Sequence, residues 1–216
     1  MHRARLAPED VTNRRDLRLT APARTVVDLL RTEARDEAVV AADSALSRRT
    51  VNGIRRAPLT TLATLTSALA APKVPLRSRK TAQNLLQLVD PRAGSAAETI
   101  ARLRMHDAGL HPESQAELHT PDGRRRYLDF LFRPEGLGVE IEGYAYHGTR
   151  AAHRQDVARF NQIQQCPEVR LLLRYTAADV FFHPAKVIEE IRANLGRLGH
   201  QFPTAAWSAF LTDVKR

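Results

Sequence analysis

Apolar residues recur at helical spacing in the first part of the chain and at alternate positions further on. "TAPARTVVDLL" reads as a polar, proline-containing lead into a helix. "ARDEAVVAADSALSRR" predicts a second helix, with Ala38, Val39, Ala42, Ala45 and Leu46 as its apolar positions. "LTTLATLTSALA" (Leu59 to Ala70) predicts a third. "APKVPLRSRK" then breaks the pattern with two prolines and four basic residues, and reads as a linker. One more short helix, "TAQNLLQLVD", precedes the Asp90-Pro91 break.

From Ser95 the texture changes. "SAAETIARLRMHDAG" predicts a helix with Ser95 as N-cap, apolar Ile100, Leu103 and Met105, and Gly109 just past its end. "QAELHT" and "RRYLDFLF" flank the turn signal "PDGR" and predict a hairpin. "PEG" separates the second of these from "LGVEIEG", a third strand. "RAAHRQDVARFNQIQQ" is helical, "VRLLLRYT" is a near-continuous apolar strand, and "HPAKVIEEIRANLGRLG" closes the order α-β-β-β-α-β-α. The organisation expected is a basic helical domain over 1–75, a linker with a short helix over 76–94, an α/β domain over 95–198 and a tail over 199–216.

At 43% hydrophobic and 26% charged residues the composition is that of a globular protein. There is no apolar run of 18 residues and no apolar segment of the kind an N-terminal secretory signal needs, so the cytoplasm is the expected location and no membrane partner is expected. Cys166 is the only cysteine, which excludes an internal disulfide and a thiolate-rich structural zinc. The net charge of +9 is unevenly spread: residues 1–94 hold 17 Lys and Arg against nine Asp and Glu, residues 95–216 hold 16 against 15. That points to an anionic partner, most simply nucleic acid, with Lys73, Arg77, Arg79 and Lys80 as the densest basic run.

Alternation in "RRYLDFLF" puts Leu128, Phe130 and Phe132 on one face and Asp129 on the other; in "VEIEG", Val139 and Ile141 take the core face and Glu140 and Glu142 the opposite one. Two glutamates side by side repel unless a metal ion, an arginine or water lies between them. If the strands are antiparallel neighbours, Asp129 joins them. A cluster of hard oxygens suits Mg²⁺ or Mn²⁺, which activates water and stabilises charge on a phosphodiester. A solvated outer sheet face accounts for the same acids without any chemistry.

The ordered motifs resemble the Vsr-like (very-short-patch-repair endonuclease-like) family of the PD-(D/E)XK nucleases. The residues that carry the resemblance are Ser95, Glu98 and Arg102 in "SAAETIAR"; Gly109, Pro112 and Gln115 in "GLHPESQ"; Tyr127 and Asp129 in "YLDF"; and the run Glu140, Glu142, Gly143 and His147. Further on come Asp156 and Arg159 in "RQDVARF", Arg174 in "LLLRYT", and Asp179 with Val180. The match covers roughly residues 95–195. It implies an αβββαβ core with a mixed sheet flanked by helices, behind a small helical domain.

It further implies a metal-dependent endonuclease acting on DNA, with RNA left open and a homodimer as the usual route to cutting both strands. Asp129 and Glu140 would hold the ion and Glu98 would approach it. Glu142 would extend the cluster, and His147 would serve as acid, base or phosphate orienter. Gln115 resembles an accessory position near the metal, and Arg159 and Arg174 would contact phosphate or pair with the acids. The family motif ends in Lys where this chain has Glu142, which leaves the water-activating group open. The alternative is a nuclease fold without chemistry, retained as a DNA-binding protein or a toxin–antitoxin-like regulator. Ser95 and Glu98 also form a capping box, and Asp156 with Arg159 fits a helical ion pair.

Overall fold

The computed structural model describes residues 6–51, 54–71, 76–143 and 150–201. His147, Lys73 and nearly all of the 199–216 tail lie outside these residues, as does the side chain of Arg77. The chain is mixed α/β and divides into two compact units between Thr99 and Ile100.

The first unit is built on helices α1 (Pro22–Thr32), α2 (Arg35–Leu46), α3 (Leu62–Ala70) and α4 (Leu76–Leu86). Pro22 opens α1, where its missing N–H removes no helical bond, and Thr61 caps α3 by accepting the Thr64 N–H at 3.1 Å. Val26, Val27 and Leu30 of α1 meet Ala42 and Leu46 of α2, Leu65 and Leu69 of α3, and Ala82 and Leu86 of α4 in one core. The segment read as a linker is thus helical from Leu76. Its eleven residues contain neither proline nor glycine, and Ala82 and Leu86 supply an apolar stripe that the other helices bury.

Two hairpins absent from the sequence reading complete this unit: β1 (Val11–Arg14) with β2 (Leu17–Thr20), and β3 (Arg49–Val51) with β4 (Ile54–Arg56). The first turns through Arg15 and Asp16 at φ 47° and 62°, a left-handed pair without the glycine that usually announces it. Asp43, 1% exposed, is the polar hub. Its carboxylate accepts the Asp90 N–H and the Thr99 hydroxyl, each at 2.8 Å, so one buried charge ties α2 to two points some fifty residues on.

The second unit centres on a four-stranded sheet in the order β5 (Glu113–His119), β6 (Arg125–Phe132), β7 (Leu137–Glu142), β8 (Leu171–Thr176). The first three strands are antiparallel, and β8 runs parallel to β7 after a crossover through α6 (Arg150–Gln164), which makes the sheet mixed. The β5–β6 turn is the expected one, with Gly123 at φ 78°. Helix α5 (Ala96–Asp107) begins in the first unit and ends in the second. A short helix not anticipated, α7 (Ala177–Phe182), starts from a Thr176–Asp179 capping box, and α8 (Pro184–Gln201) ends the described chain. Val139 and Ile141 of β7 pack with Met105 of α5 and Val187 and Ile191 of α8.

On the other side of the sheet, Ala116, Leu118, Leu128, Leu131 and Leu172 form a core with Ile163 of α6 and Cys166. Leu128 and Leu131 therefore share a cluster, which corrects the expectation that Leu128, Phe130 and Phe132 share a face. The alternation breaks at Asp129: the β5–β6 ladder pairs Ser114 with Phe130 and Ala116 with Leu128, and between them Gln115, at φ 48°, and Asp129 form no rung. Gly138 sits where strand and core come closest, since a Cβ there would lie 2.7 Å from Leu128 Cδ2 and 2.9 Å from Leu172 Cδ1.

Replacing Asp43 by Ala strands the buried Asp90 N–H and leaves the Thr99 hydroxyl only the longer contact to the Ser95 carbonyl, 3.3 Å. We expect a loss of about 2–4 kcal/mol from the first unit in urea unfolding, with Asp43→Asn losing less because its amide oxygen still accepts one bond.

Candidate functional site

The irregular rung at Gln115 and Asp129 gives Asp129 its partners. Released from the ladder, its carboxylate Oδ2 accepts the backbone N–H of Ile141 at 2.8 Å, across to β7, and Oδ1 accepts the Gln115 side-chain amide at 3.0 Å. The β6–β7 pairing stops at Phe130 with Val139, so the next position along sets Asp129 beside Glu140. Glu140 is 4% exposed. Burial pushes the Asp129 carboxyl above the ordinary aspartate range, against the lowering effect of the Ile141 N–H and of Arg159. Burial is also the main cause that raises Glu140; Arg159 opposes it, and the nearby Asp129 charge adds to it.

The question of two glutamates on one face has a physical answer among the described residues: each meets an arginine. Glu140 Oε1 lies 2.7 Å from Nη1 of Arg159 on α6. Glu142 Oε1 lies 2.8 Å from Nε of Arg174 on β8, whose Nη2 reaches Asp156 of α6 at 3.0 Å. Arg174 also lies over the Phe160 ring, 4.8 Å from its centre. Arg159 holds its place by donating to the Tyr127 carbonyl at 2.8 Å. Asp156 and Arg159, which fit a pair along the helix, each reach across to the sheet. Residues Gly138, Glu140 and Glu142 thus follow one stripe of β7 facing α6, apolar at one end and ionic at the other.

Beside this stripe an open groove of about 500 Å³ is lined by Gln115, Asp129, Arg159, Arg125, Arg126 and Gln162. Arg126 is anchored there, donating twice to Gln162 Oε1 at 2.9 and 2.6 Å, while Arg125 is well exposed. Neither arginine was singled out from the sequence. The "RRR" run directly after the "PDG" turn was the available signal, because a turn at one end of a strand fixes which residues open onto its rim.

Of the other expected site residues, Glu98 belongs to the first compact unit. Its Oε2 accepts the Gly94 N–H at 2.8 Å and its own N–H donates to Ser95 Oγ at 3.1 Å, which is the work of a helix cap. Arg79 donates to the Ala71 carbonyl at 3.0 Å and Lys80 is exposed. Cys166 is buried and its thiol is pushed up to about 11 by burial and by Glu168, so it stays protonated near neutral pH. Among the described residues no three His, Cys, Asp or Glu side chains are gathered as a metal cage, and no helix is long and apolar enough to cross a membrane.

Two relatives match this chain: "Uncharacterized protein MT2308" of Mycobacterium tuberculosis (strain CDC 1551 / Oshkosh) and "Uncharacterized protein Rv2248" of Mycobacterium tuberculosis (strain ATCC 25618 / H37Rv). Each is 31% identical over 180 residues, covering 83% of this chain and 58% of the relative, so the chain spans little more than half the length of the curated relatives it matches. No protein-family model and no solved structure matches the chain.

The raised Asp129 gives a stability test. A carboxyl whose folded pKa lies above its unfolded one binds protons more tightly when folded. Its charge therefore costs stability as pH rises from the ordinary aspartate range through the raised value. In metal-free buffer at pH 7, Asp129→Asn is expected to melt about 2–4 °C higher than the parent, a difference that shrinks as pH falls towards 4 in thermal scans. An unchanged or lower melting point would contradict the burial account.

Proposed function

We propose that this chain is a divalent-metal-dependent endonuclease acting on DNA, of the Vsr-like branch of the PD-(D/E)XK fold. The observation that carries the reading is the Asp129–Glu140 pair. Two acids from neighbouring strands are drawn together inside the sheet despite mutual repulsion and desolvation, beside an arginine-lined groove. The order α5, β5, β6, β7, α6, β8 in a mixed sheet supports the same fold.

The donor chemistry suits the ion. Asp129 and Glu140 offer hard carboxylate oxygens, and Mg²⁺ is commonly held by one or two carboxylates with water and substrate phosphate completing its shell. When bound, such an ion supplies positive charge to the phosphodiester and acidifies a water. This chain's residues do the rest. Gln115 and the Ile141 N–H fix the Asp129 carboxylate in orientation. Arg159, its side chain 41% exposed, neutralises Glu140 and faces the groove where a phosphate would lie. Arg125 and Arg126 offer further phosphate contacts on the groove. Glu98 is committed to its cap, so the reading rests on Asp129 and Glu140.

A second reading has its own observation. Glu140 and Glu142 already have arginine counter-ions, and Glu142 stands where the family motif has Lys. Acids already neutralised in this way suit a nuclease fold that binds DNA without cutting it, as a regulator of the toxin–antitoxin kind would.

Supercoiled plasmid incubated with Mg²⁺ or Mn²⁺, with EDTA as control, separates the two. We expect metal-dependent nicking or linearisation. Gln115→Ala should slow it roughly 10–100-fold, and Asp129→Ala or Glu140→Ala should slow it further. Mn²⁺ at about 100 times its Kd should stabilise the parent by about 2.7 kcal/mol and leave the melting point of Asp129→Asn unmoved. Plasmid intact with either metal, yet retarded on a gel, would transfer the assignment to the binding protein.

A further inference from the structure

The sequence from Ser44 to Val89 contains eight Lys and Arg and not one Asp or Glu. The acidic residues at its two edges, Asp43 and Asp90, are buried, with Asp43 committed to the Asp90 N–H and the Thr99 hydroxyl. The positive charge of this stretch therefore has no counter-charge of its own nearby in sequence, which a randomly solvated surface of mixed sign would supply.

Half of that charge is in the β3–β4 hairpin and the residue before it: Arg48, Arg49, Arg55 and Arg56. The register places Arg49 directly opposite Arg56, a like-charge rung that weakens a hairpin standing alone. Ile54, Arg55 and Arg56 are all exposed, and none of the three contributes to the core of the first unit. A two-stranded ribbon is marginal by itself in water. This one is fixed at its base, where the Leu59 N–H donates to the Ala45 carbonyl of α2 at 2.8 Å, and it continues α2 after a single turn at buried Ser47. Among the described residues, Arg48, Arg55 and Arg56 have no ion pair and no hydrogen bond through their side chains.

We infer that the β3–β4 hairpin is a duplex-DNA contact: a ribbon inserted along a groove with Arg48, Arg55 and Arg56 on the flanking phosphates. Adjacent strand positions point to opposite faces, so Arg55 and Arg56 charge both faces of the ribbon. A polyanion on one side only would leave one of them idle, whereas a groove presents phosphates along both walls. The major groove of B-form DNA admits a two-stranded ribbon, and the deep, narrow major groove of an RNA duplex does not. The contact is made from backbone charge and carries no base preference. It stands apart from the acidic pair on β6 and β7 and does not require that pair to be catalytic.

The test uses the full chain in EDTA, which silences any metal-dependent cutting, and follows fluorescence anisotropy of a labelled short duplex between about 50 and 200 mM KCl. Arg55→Ala/Arg56→Ala is expected to weaken binding uniformly across sequences and to lower the slope of log K against log salt by about 2, one for each lost phosphate contact. Arg55→Lys/Arg56→Lys, which keeps the charge, is expected to retain the slope. Arg133→Ala, whose partner is Glu113 in the second unit, is expected to leave it unchanged. An unaltered slope in the double alanine variant, with the helical circular dichroism signal intact, overturns the inference. So does a slope lost equally in the lysine variant, which would make the hairpin structural, and so does equal or tighter binding to single-stranded DNA or to an RNA duplex of the same sequence. Loss of binding with plasmid cleavage never seen would leave the hairpin established and the nuclease reading refuted, so the two fail separately.

Discussion

Carboxylates kept inside a sheet must be held by something, and in the second unit the ion pair between Glu140 and Arg159 is the central holding contact. A carboxylate as buried as Glu140 is stable as an ion only with a cation against it, and Asp129 alongside makes the demand greater. Arg159 comes from α6, so the crossover helix is fixed to β7 by charge at one end and by Ile163 and the leucine core at the other. The parallel strand β8 follows from the same packing, since Leu172 joins that core and Arg174 meets Glu142. Charge and apolar contact thus set the position of α6 over the sheet together, and the groove that holds Asp129 takes its outline from that placement.

Removing an acid and removing its arginine are consequently different operations. Loss of a carboxylate relieves burial and repulsion, whereas loss of Arg159 leaves Glu140 desolvated without its counter-ion. Such asymmetry is common where a site is kept for work that the resting fold does not need. The same geometry serves both functional readings. An arginine that neutralises an acid in the free protein is well placed to exchange that acid for a phosphate when a ligand enters, and equally able to keep it permanently satisfied.

Much of this was legible in the chain. Helices α1, α2 and α3 followed from apolar spacing, the β5–β6 hairpin from "PDG", and the placing of Glu140 and Glu142 opposite Val139 and Ile141 on β7 from alternation. What escaped was decided by tertiary context. Strands β2 and β4 of the first unit are exposed along their length, so they leave no hydrophobic signature, and the β1–β2 hairpin turns through Arg15 and Asp16 in a conformation that composition does not announce. Leu128 falls on the face of Leu131 next to a rung missing at Asp129 and Gln115, where Gln115 takes a left-handed backbone that few non-glycine residues adopt and that a regular strand pattern does not announce. Glu98 illustrates the opposite limit: its place in the sequence fits both a cap with Ser95 and an approach to the metal, and the contacts the structure describes are those of the cap. The two units also differ in how they handle charge. Both pair arginines with acids, as Arg24 with Asp10 and Arg159 with Glu140, but the first also carries Arg48, Arg55 and Arg56 outside any such pair among the described residues.

Gly138 bounds the charged stripe of β7 on its apolar side. Two residues before Glu140, the strand approaches Leu128 and Leu172 so closely that no space remains for even a methyl group. The absence of a side chain there lets the two leucines pack directly against backbone at the apolar half of the stripe. Any larger residue at this position would require the ends of Leu128 and Leu172 to shift, so the packing two residues from Glu140 is set by a residue that carries no charge.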